Sequence, residues 1–444
     1  MKFIRTLSPV EAGFEVLNQI ASSLNVVTIS KVKGAISTAA LEQALKIVEQ
    51  RHPKLQCCID SSTGELDFRK RLAENASLRV IQAADHETWQ QVTLNELNQS
   101  LNSSQHLWRT TLVCHSDNTV SYLITTTHHA ISDGLSSISL QSEMLSYCGD
   151  IQSGSTFPFR IPTLPFLPSL ESLFPNAHKG YRGKASGILW LLRTTLKQLY
   201  FRPKMLSFEK LVPIEERTCN VIHRQIEPAL TKALLKQCRI EKTTVQGALC
   251  AAMLLAVANN IKLSETKKFS FTCRSMVDLR RRLSPAVGNQ DLGGLASTVT
   301  TLHTITDSTH FWQLARGVKQ EIEQSLHRGE MFNIFTLFKA LFGDLLVDPN
   351  NSPLVNKAPL TVEVSNVGKV DIPAHYGPLE LEEISFMSSQ GIFGGIFCAA
   401  VATFKDKMLF NFAFSEPALS RVTVEDLVDD TLSYLKSNCH SEIR

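Results

Sequence analysis

A proline-rich segment divides this chain into two stretches that each alternate helix patterns with strand patterns. Residues 154–175, GSTFPFRIPTLPFLPSLESLFP, contain five prolines, which is typical of a linker or crossing segment. The chain has 444 residues, too many for one ordinary hydrophobic core. We therefore expect an N-terminal α/β half over residues 1–153, a linker over residues 154–185 and a C-terminal α/β half over residues 186–444.

In the first half, the pattern ISTAALEQALKIVEQRHPKL predicts a helix capped by Ser37 or Thr38 and ended by Pro53. The run WRTTLVCHSDNTVSYLITTTHH predicts a β-hairpin that turns at residues 116–118, with a second strand over residues 120–127. A helix is expected directly after this hairpin, in LSSISLQSEMLSYC.

The second half repeats this mixture. TTVQGALCAAMLLAVANNI predicts a buried helix and HFWQLARGVKQEIEQSL an amphipathic one, and NVIHRQI, FSFTCRSMVDL, LTVEVSNVG and MLFNFAF predict strands. Residues 384–404 contain no charge, but serines and glycines interrupt them, so we predict two buried strands with a turn and no transmembrane segment.

Composition excludes several classes of protein. A net charge of +3 and a pI of about 8.3 are too mild for a nucleic-acid-binding protein. The ten cysteines form no CxxC pair, which favours reduced thiols in a cytoplasmic protein over a zinc site. The first residues, MKFIRTLSPVEAGF, lack the apolar core of a signal peptide.

Residues 179–204 carry seven basic residues and no acidic one, and GILWLLRTTLKQLYF within them predicts an amphipathic helix. One interpretation is a helix packed on its domain with a solvated basic face. The other is a surface for a membrane, an acidic carrier protein or an acyl chain.

The run TTTHHAISDGLSS, residues 125–137, joins the end of a predicted strand to the start of a predicted helix, and it contains the candidate catalytic residues. His128 or His129 at a fixed strand end is a candidate general base, because histidine has its unperturbed pKa nearest neutrality. Asp133 either orients the imidazole or pairs with an arginine and fixes the loop. Gly134 allows a sharp turn into the helix, and its amide is a candidate to stabilise developing negative charge.

Other interpretations of this run are weaker. The histidines and the aspartate are metal-ligand types, but adjacent histidines in extended backbone point to opposite faces, and no HExxH helix is present. We predict no metal site. A nucleophilic serine or cysteine has no local signature either, since no GxSxG occurs near a strand end.

Residues 128–134, HHAISDG, match the motif HHxxxDG, and the chain resembles the chloramphenicol acetyltransferase-like superfamily. That superfamily contains condensation domains of nonribosomal peptide synthetases, mycobacterial polyketide-associated acyltransferases and alcohol O-acetyltransferases. Other segments resemble the family's in the same order: LSPVEAGF, RHPKLQ, LWRTTLV, VDLRRRLSPAVGN, SNVG and FAFSEPALS. The resemblance spans about residues 5–435.

This resemblance implies two chloramphenicol acetyltransferase-like α/β sandwich halves with an active-site tunnel between them. It implies an acyltransferase that moves an acyl group from a thioester to an acceptor hydroxyl, with a histidine general base and no covalent acyl-enzyme. The donor would be acyl-CoA or a phosphopantetheinyl acyl-carrier, with no permanently bound cofactor. We expect a monomer, with an acyl-carrier protein as a candidate partner.

Residue by residue, the resemblance assigns the catalytic base to His129 and a structural part to His128. It pairs Asp133 with an arginine, for which Arg280 is the best match. Two neighbouring arginines are the reserves, Arg274 and Arg282. A further set of candidates for oxyanion stabilisation comprises the Gly134 amide, Ser365 and Asn366, although SNVG is equally interpreted as a turn after a strand.

One difference between this sequence and the family patterns indicates which branch of the superfamily it resembles. The plant branch carries a DFGWG signature near its C-terminal region, where this chain reads SQGIFGGIF, so the condensation-like and polyketide-associated branches are favoured. Two alternatives stay open: a stand-alone condensation enzyme that forms an amide from a carrier-bound donor, and a non-catalytic member that binds a carrier or a lipid. Peripheral contact with a membrane also stays open.

Overall fold

The computed structural model describes residues 2–21, 24–62, 64–71, 78–115, 119–155, 161–261, 268–348, 358–390 and 395–439. The chain forms two compact units. Unit 1 contains Met1–Leu173, Leu283–Leu295 and Lys369–Ser389, and unit 2 contains Phe174–Arg282, Ala296–Gly368 and Gln390–Arg444. The predicted division at residues 154–185 differs from this pattern, because two later segments join unit 1.

Unit 1 contains these elements in chain order: β1 (Lys2–Thr6), α1 (Pro9–Ala21), β2 (Val26–Lys33), α2 (Thr38–Arg51), β3 (Cys57–Asp60), β4 (Asp67–Lys70), β5 (Leu78–Gln82), α3 (Thr88–Asn98), β6 (Trp108–Cys114), β7 (Val120–Thr127), α4 (Gly134–Gln152) and, from the later chain, β12 (His375–Tyr376) and β13 (Leu379–Ser388). A small sheet has the order β1-β4-β3. The larger, six-stranded sheet has the order β12-β13-β2-β7-β6-β5, with β5 parallel to β6 and the other pairs antiparallel.

The predicted N-terminal elements are confirmed. Helix α2 begins after Ser37, whose side chain accepts a hydrogen bond from the Ala40 amide, and ends at Arg51 before Pro53. Strands β6 and β7 pair antiparallel as the hairpin pattern predicts, while the turn at residues 116–118 lies outside the described residues.

Unit 2 contains these elements in chain order: α5 (Gly180–Phe201), β8 (Thr218–Ile226), α6 (Pro228–Ile240), α7 (Val245–Asn260), β9 (Phe269–Asp278), β10 (Ala296–Ile305), α8 (Phe311–His327), α9 (Asn333–Thr336), α10 (Phe338–Val347), β11 (Val362–Lys369), β14 (Phe397–Phe404), β15 (Lys407–Glu416) and α11 (Arg421–Ser437). Its six-stranded sheet has the order β10-β9-β11-β14-β15-β8, in which β11 runs parallel to β9.

Helix α7 forms the centre of the unit 2 core. Its residues from Gly247 to Ala258 are all buried, which confirms the predicted buried helix, and α8 and α11 pack beside it. Six buried phenylalanines belong to the same core cluster: Phe271, Phe311, Phe397, Phe410, Phe412 and Phe414.

The uncharged run at residues 384–404 lies in two strands, as predicted. The strands are β13 and β14, which belong to different sheets, and residues 391–394 between them lie outside the described part of the chain. Among the described residues, no single helix is long and apolar enough to cross a membrane. Helices α6 and α7 have that length and apolar character only when taken together, and they are bent by 101° relative to each other.

A buried polar network fixes α4 to the larger sheet of unit 1. The Gln141 side-chain amide donates to the Thr28 carbonyl at 2.9 Å, to the Leu123 carbonyl at 3.0 Å and to the Thr125 hydroxyl at 3.2 Å. Its oxygen accepts from the Ser30 hydroxyl at 2.5 Å. This single side chain therefore contacts both β2 and β7, and it sets the position of the helix that follows the histidine pair.

We predict that Gln141→Leu lowers the free energy of unfolding by about 2–3 kcal/mol, because buried partners such as the Ser30 hydroxyl lose their hydrogen bonds. Urea denaturation measures this change. The matched control is Gln90→Leu, at an exposed position on α3, which we expect to change stability by less than about 0.5 kcal/mol. Equal effects of the two substitutions would contradict the network's importance.

Candidate active site

Strand β7 delivers the histidine pair from the interior of the sheet. It lies between β2 and β6, so its backbone is hydrogen-bonded on both sides. Beyond it, the His128 amide donates to the Leu107 carbonyl at 2.8 Å, and the Ile131 amide donates back to the His128 carbonyl at 3.0 Å. The two histidines therefore extend from a backbone that is fixed on either side of them.

His129 has its ring held by two contacts. Its Nδ1 lies 2.8 Å from the Ser132 carbonyl oxygen, which can only accept, so Nδ1 carries the proton. The ring stacks on Phe14, with centroids 4.3 Å apart and planes 7° apart. In the described part of the chain, no hydrogen bond engages Nε2. Nε2 is therefore the basic nitrogen, and its lone pair is available to a substrate.

Burial lowers the pKa of His129 below its ordinary value, although the Ser132 carbonyl and the Asp133 carboxylate act in the opposite direction. The residue as a whole nevertheless keeps part of its surface exposed. At neutral pH this imidazole is uncharged and able to accept a proton, as a general base requires.

His128 lies in a different environment. Its side chain is wholly buried, with Nε2 2.9 Å from a carboxylate oxygen of Glu15, itself 1% exposed. Its Nδ1 accepts from the Ala130 amide at 3.1 Å. Burial alone would raise the pKa of Glu15, but its contacts with His128, Ser103 and Gln19 outweigh burial and lower it. Both ring nitrogens of His128 thus have neighbours inside unit 1, and the structural part given to it stays a prediction.

Asp133 holds the motif loop with both carboxylate oxygens. One accepts from the Ser136 amide at 2.8 Å and caps α4; the other accepts from the Leu295 amide at 2.9 Å. The residue is 3% exposed. One of the two roles considered for Asp133 was to orient the imidazole of His129. In the structure the Ser132 carbonyl does this, because it accepts the hydrogen bond from Nδ1.

Gly134 is the first residue of α4. The structure differs from the prediction that it is needed for a sharp turn, and the role of its amide stays a prediction. It is not among the residues with positive φ, so the turn does not need a glycine for its backbone angles. A Cβ at this position would lie 2.5 Å from the Phe386 ring. The glycine is therefore required because the β13 side chain packs directly on the helix start.

The segment Leu283–Leu295 approaches the motif from the later chain. The family resemblance included its first residues, up to Asn289, but residues 290–295 were not singled out. The Gly293 amide donates to the Ser136 hydroxyl at 3.3 Å, and that hydroxyl donates to the Gly293 carbonyl at 3.2 Å. Gly294 lies against the His129 carbonyl, where a Cβ would come within 2.9 Å. The two adjacent glycines in DLGGL are the sequence feature that could have predicted this close approach.

Lys54 is a second residue that sequence reasoning missed. It is 5% exposed, its ammonium lies beside Gly293, and it sits 5.9 Å from the Phe166 ring centroid. Burial lowers the pKa of Lys54 to about 8, although the charges of Glu11 and Asp133 oppose the change. Within RHPKLQ it had no feature to distinguish it from a surface lysine.

Three further predicted site residues lie in unit 2. Arg280 is 1% exposed and donates to Asp278 at 2.9 Å; its pairing with Asp133 stays a prediction. Ser365 and Asn366 lie on β11, and the Asn366 side chain accepts from the Gly368 amide at 2.9 Å, where φ is +74°. SNVG therefore lies within β11 and is not a turn after the strand, and the oxyanion role of both residues stays a prediction. The reserve Arg274 contacts Glu363.

The cysteines do not offer a reactive thiolate. All ten are buried and free of disulfides. Burial raises the pKa to about 12 in four of them: Cys57, Cys148, Cys219 and Cys238. The site chemistry in unit 1 therefore rests on the histidine.

Two α/β units with mixed six-stranded sheets, and a histidine pair at a strand end before a capped helix, are the features of the two-lobed chloramphenicol acetyltransferase-like fold. Models of two protein families match the chain: the condensation domain over residues 7–166, and the phthiocerol/phthiodiolone dimycocerosyl transferase C-terminus over residues 215–410. The chain belongs to this family of condensation domains and polyketide-associated acyltransferases.

Solved structures show the same fold over nearly the whole chain. Polyketide synthase associated protein 5 from Mycobacterium tuberculosis has a TM-score of 0.72 and 18% identity, covering 99% of each chain. Trichothecene 15-O-acetyltransferase TRI3 from Fusarium sporotrichioides has a TM-score of 0.75 and 12% identity, covering 98% of this chain and 95% of its own. The first condensation domain of the CDA synthetase has a TM-score of 0.70 and 14% identity, covering 99% of each. No curated protein sequence gave a match.

We predict that Lys54→Met changes the pH dependence of stability. The unfolded chain binds the Lys54 proton up to about pH 10.5 and the folded chain only to about pH 8, so wild-type stability rises with pH across this window. From pH 7 to pH 9.5, the wild type should gain about 2 kcal/mol of unfolding free energy relative to Lys54→Met. Denaturant unfolding at both pH values measures this gain.

The control for this experiment is Lys46→Met, at an exposed position on α2. Its difference from the wild type should stay constant between the two pH values. A constant difference for Lys54→Met as well would show that the ammonium is not desolvated in the folded chain.

Proposed function

We propose that this protein transfers an acyl group from a thioester to an acceptor hydroxyl and forms an ester, with His129 as general base. The observation that carries the proposal is the hydrogen bond from His129 Nδ1 to the Ser132 carbonyl. This bond fixes the tautomer in which Nε2 is basic, at the strand end where the family motif requires it. The lowered pKa of the ring supports the same role.

The proposed reaction balances without a covalent enzyme intermediate. The acceptor oxygen bonds to the thioester carbonyl carbon as its proton passes to His129 Nε2. The C–O double bond becomes an oxyanion, and the positive charge on the ring is stabilised by the Ser132 carbonyl. The C–S bond then breaks as the carbonyl reforms, and the thiolate takes the proton from Nε2. The positioning of both substrates supplies a large part of the rate.

The amide at the start of α4 is our first candidate for the oxyanion. Gly134 is the first residue of this helix, so its N–H belongs to the group of helix-start donors that have no partner within the helix. Asp133 is a positioning residue in this scheme, because its two hydrogen bonds hold the loop and the helix start together.

The donor class follows from the family and is part of the proposal. Acyl-CoA and an acyl group on a phosphopantetheinyl carrier present the same thioester, and neither requires a resident cofactor. The hydroxyl acceptor is supported by the match to an acyltransferase family model and by the likeness to an O-acetyltransferase.

An amide-forming condensation reaction is the second candidate. It is supported by the condensation-domain model that matches residues 7–166, which include the histidine motif. The same base would then remove a proton from an acceptor amine. Only the nature of the acceptor separates the two reactions, so a panel of acceptors decides between them.

We predict that His129→Ala reduces acceptor-dependent thiol release about 10²–10⁴-fold, because the base is lost while the substrates still bind. Release is measured with a thiol reagent on a panel of acyl-CoA and acyl-carrier donors, with alcohols and amines as acceptors. Product analysis by mass spectrometry identifies an ester or an amide. His375→Ala, at an exposed position on β12, should retain wild-type release.

Equal release by wild type and His129→Ala would contradict the general-base role. A wild type that binds thioester donors but releases thiol with no acceptor of the panel would instead favour the non-catalytic member of the family.

We also predict the pH dependence of the reaction. His129 is a base only when neutral, and burial lowers its pKa below 6.5. As pH falls, kcat/KM should therefore reach half of its maximum only below pH 6.5. Rates between pH 5 and pH 8 with saturating and limiting acceptor test this expectation. An acidic decline centred above pH 6.5 would contradict it.

A further inference from the structure

Helix α5 packs on unit 2 with its small residues and turns its large apolar residues outward. Gly183 and Gly187 are its buried residues. A Cβ on Gly183 would lie 2.3 Å from the His178 carbonyl oxygen, and one on Gly187 would lie 3.0 Å from the Leu337 side chain. The neighbouring backbone and side chains therefore occupy the space beside these two glycines, and four of the five leucines of α5 are exposed: Leu189, Leu192, Leu196 and Leu199.

The outward face of α5 is a continuous apolar stripe. At about 100° per residue, positions separated by four, seven or eleven residues share a face. The stripe consists of Tyr181 (87% exposed), Ile188 (55%), Leu189 (49%), Leu192 (57%), Leu196 (65%), Leu199 (67%) and Tyr200 (82%). An apolar face of this length on an exposed helix is unusual for a surface whose only neighbour is water.

Basic residues border this stripe on both sides. Arg182 and Arg193 are eleven residues apart and lie along the edge next to Leu189 and Tyr200. Lys184 and Arg202 are eighteen residues apart and lie along the opposite edge. All four are exposed, and the whole segment 179–204 contains no acidic residue.

Two other basic residues of the segment are turned towards unit 2. Lys197 lies 3.6 Å from Glu321 of α8, and the Lys204 ammonium lies 5.5 Å from the Phe269 ring centroid. These contacts, like the glycine packing, fix the helix in the orientation that leaves the apolar stripe outward.

We propose that this face of α5 binds the surface of a membrane that contains anionic lipid. The helix would lie along the membrane, with the apolar stripe among the acyl-chain ends near the headgroups and the basic borders on lipid phosphates. An acidic carrier protein would match the basic borders alone, whereas a lipid surface matches both the borders and the stripe. The proposal does not depend on the acyltransfer reaction.

The test is flotation of the full chain with phosphatidylcholine vesicles, with and without phosphatidylglycerol, in the absence of acyl donor. We expect wild type to float with the anionic vesicles and to be released by high salt, which screens the basic borders. The double variant Leu192→Ser, Leu199→Ser should bind at least about tenfold more weakly, because the two leucines would contribute most of the buried apolar surface at the centre of the stripe.

A second pair of variants separates the stripe from its borders. Arg182→Gln with Arg193→Gln should reduce binding to anionic vesicles and weaken its salt dependence, because Lys184 and Arg202 remain on the opposite border. Val422→Ser, at a position 69% exposed on α11, is the matched control and should float as wild type does. Because the substituted side chains are exposed, circular dichroism should be unchanged in every variant.

Other results would overturn the proposal. These are failure of the wild type to float with either vesicle, or equal flotation of the wild type and the leucine variant. Sedimentation velocity and binding to acidic carrier proteins complete the test. A dimer that the leucine variant converts to monomer, without vesicle binding, would assign the stripe to a second copy. Carrier binding that only the arginine variant weakens, again without vesicle binding, would assign the borders to a carrier.

Discussion

The motif loop depends on one buried carboxylate. Asp133 accepts from the Ser136 amide with one oxygen and from the Leu295 amide with the other, so a single side chain joins the start of α4 to a segment that arrives from the later chain. These two partners are backbone groups, which do not depend on side-chain rotamers and leave little freedom to the loop. The geometry around His129 follows from this: the Ser132 carbonyl can hold the imidazole only while the turn between residues 129 and 133 keeps its shape.

The two adjacent histidines have the same side chain but different hydrogen-bond partners. His128 has a carboxylate on one nitrogen and an amide on the other, so both of its polar atoms are committed to the protein. His129 has a carbonyl on one nitrogen and an aromatic ring against its face, so the other nitrogen keeps its lone pair. Adjacent residues at the end of a strand point to opposite sides. Here one side is a closed polar interior, and on the other side Nε2 of His129 has no hydrogen-bond partner among the described residues.

Much of the local structure was predictable because its causes are local. The cap at Ser37, the strand that ends at Thr127 and the buried helix α7 follow from residue type and period. The choice of His129 came from the family motif. The partner that fixes its tautomer could not be predicted, because a backbone carbonyl has no residue-type signal. The pattern of α5 showed two faces, but which face is buried depends on the fit of Gly183 and Gly187 to their neighbours, and this is a property of the tertiary structure.

Strand β13 affects the order in which the larger sheet of unit 1 can form during synthesis. It pairs with β2 along residues 26–33, although it is made of residues 379–388. While the polypeptide leaves the ribosome, β2 is complete early, but one of its edges must wait for almost all of the chain to be synthesised. An unpaired edge of mostly buried residues is a site for pairing with other chains. The nascent protein is therefore exposed to aggregation for most of its synthesis, and a fragment that ends before β13 would keep that edge open permanently.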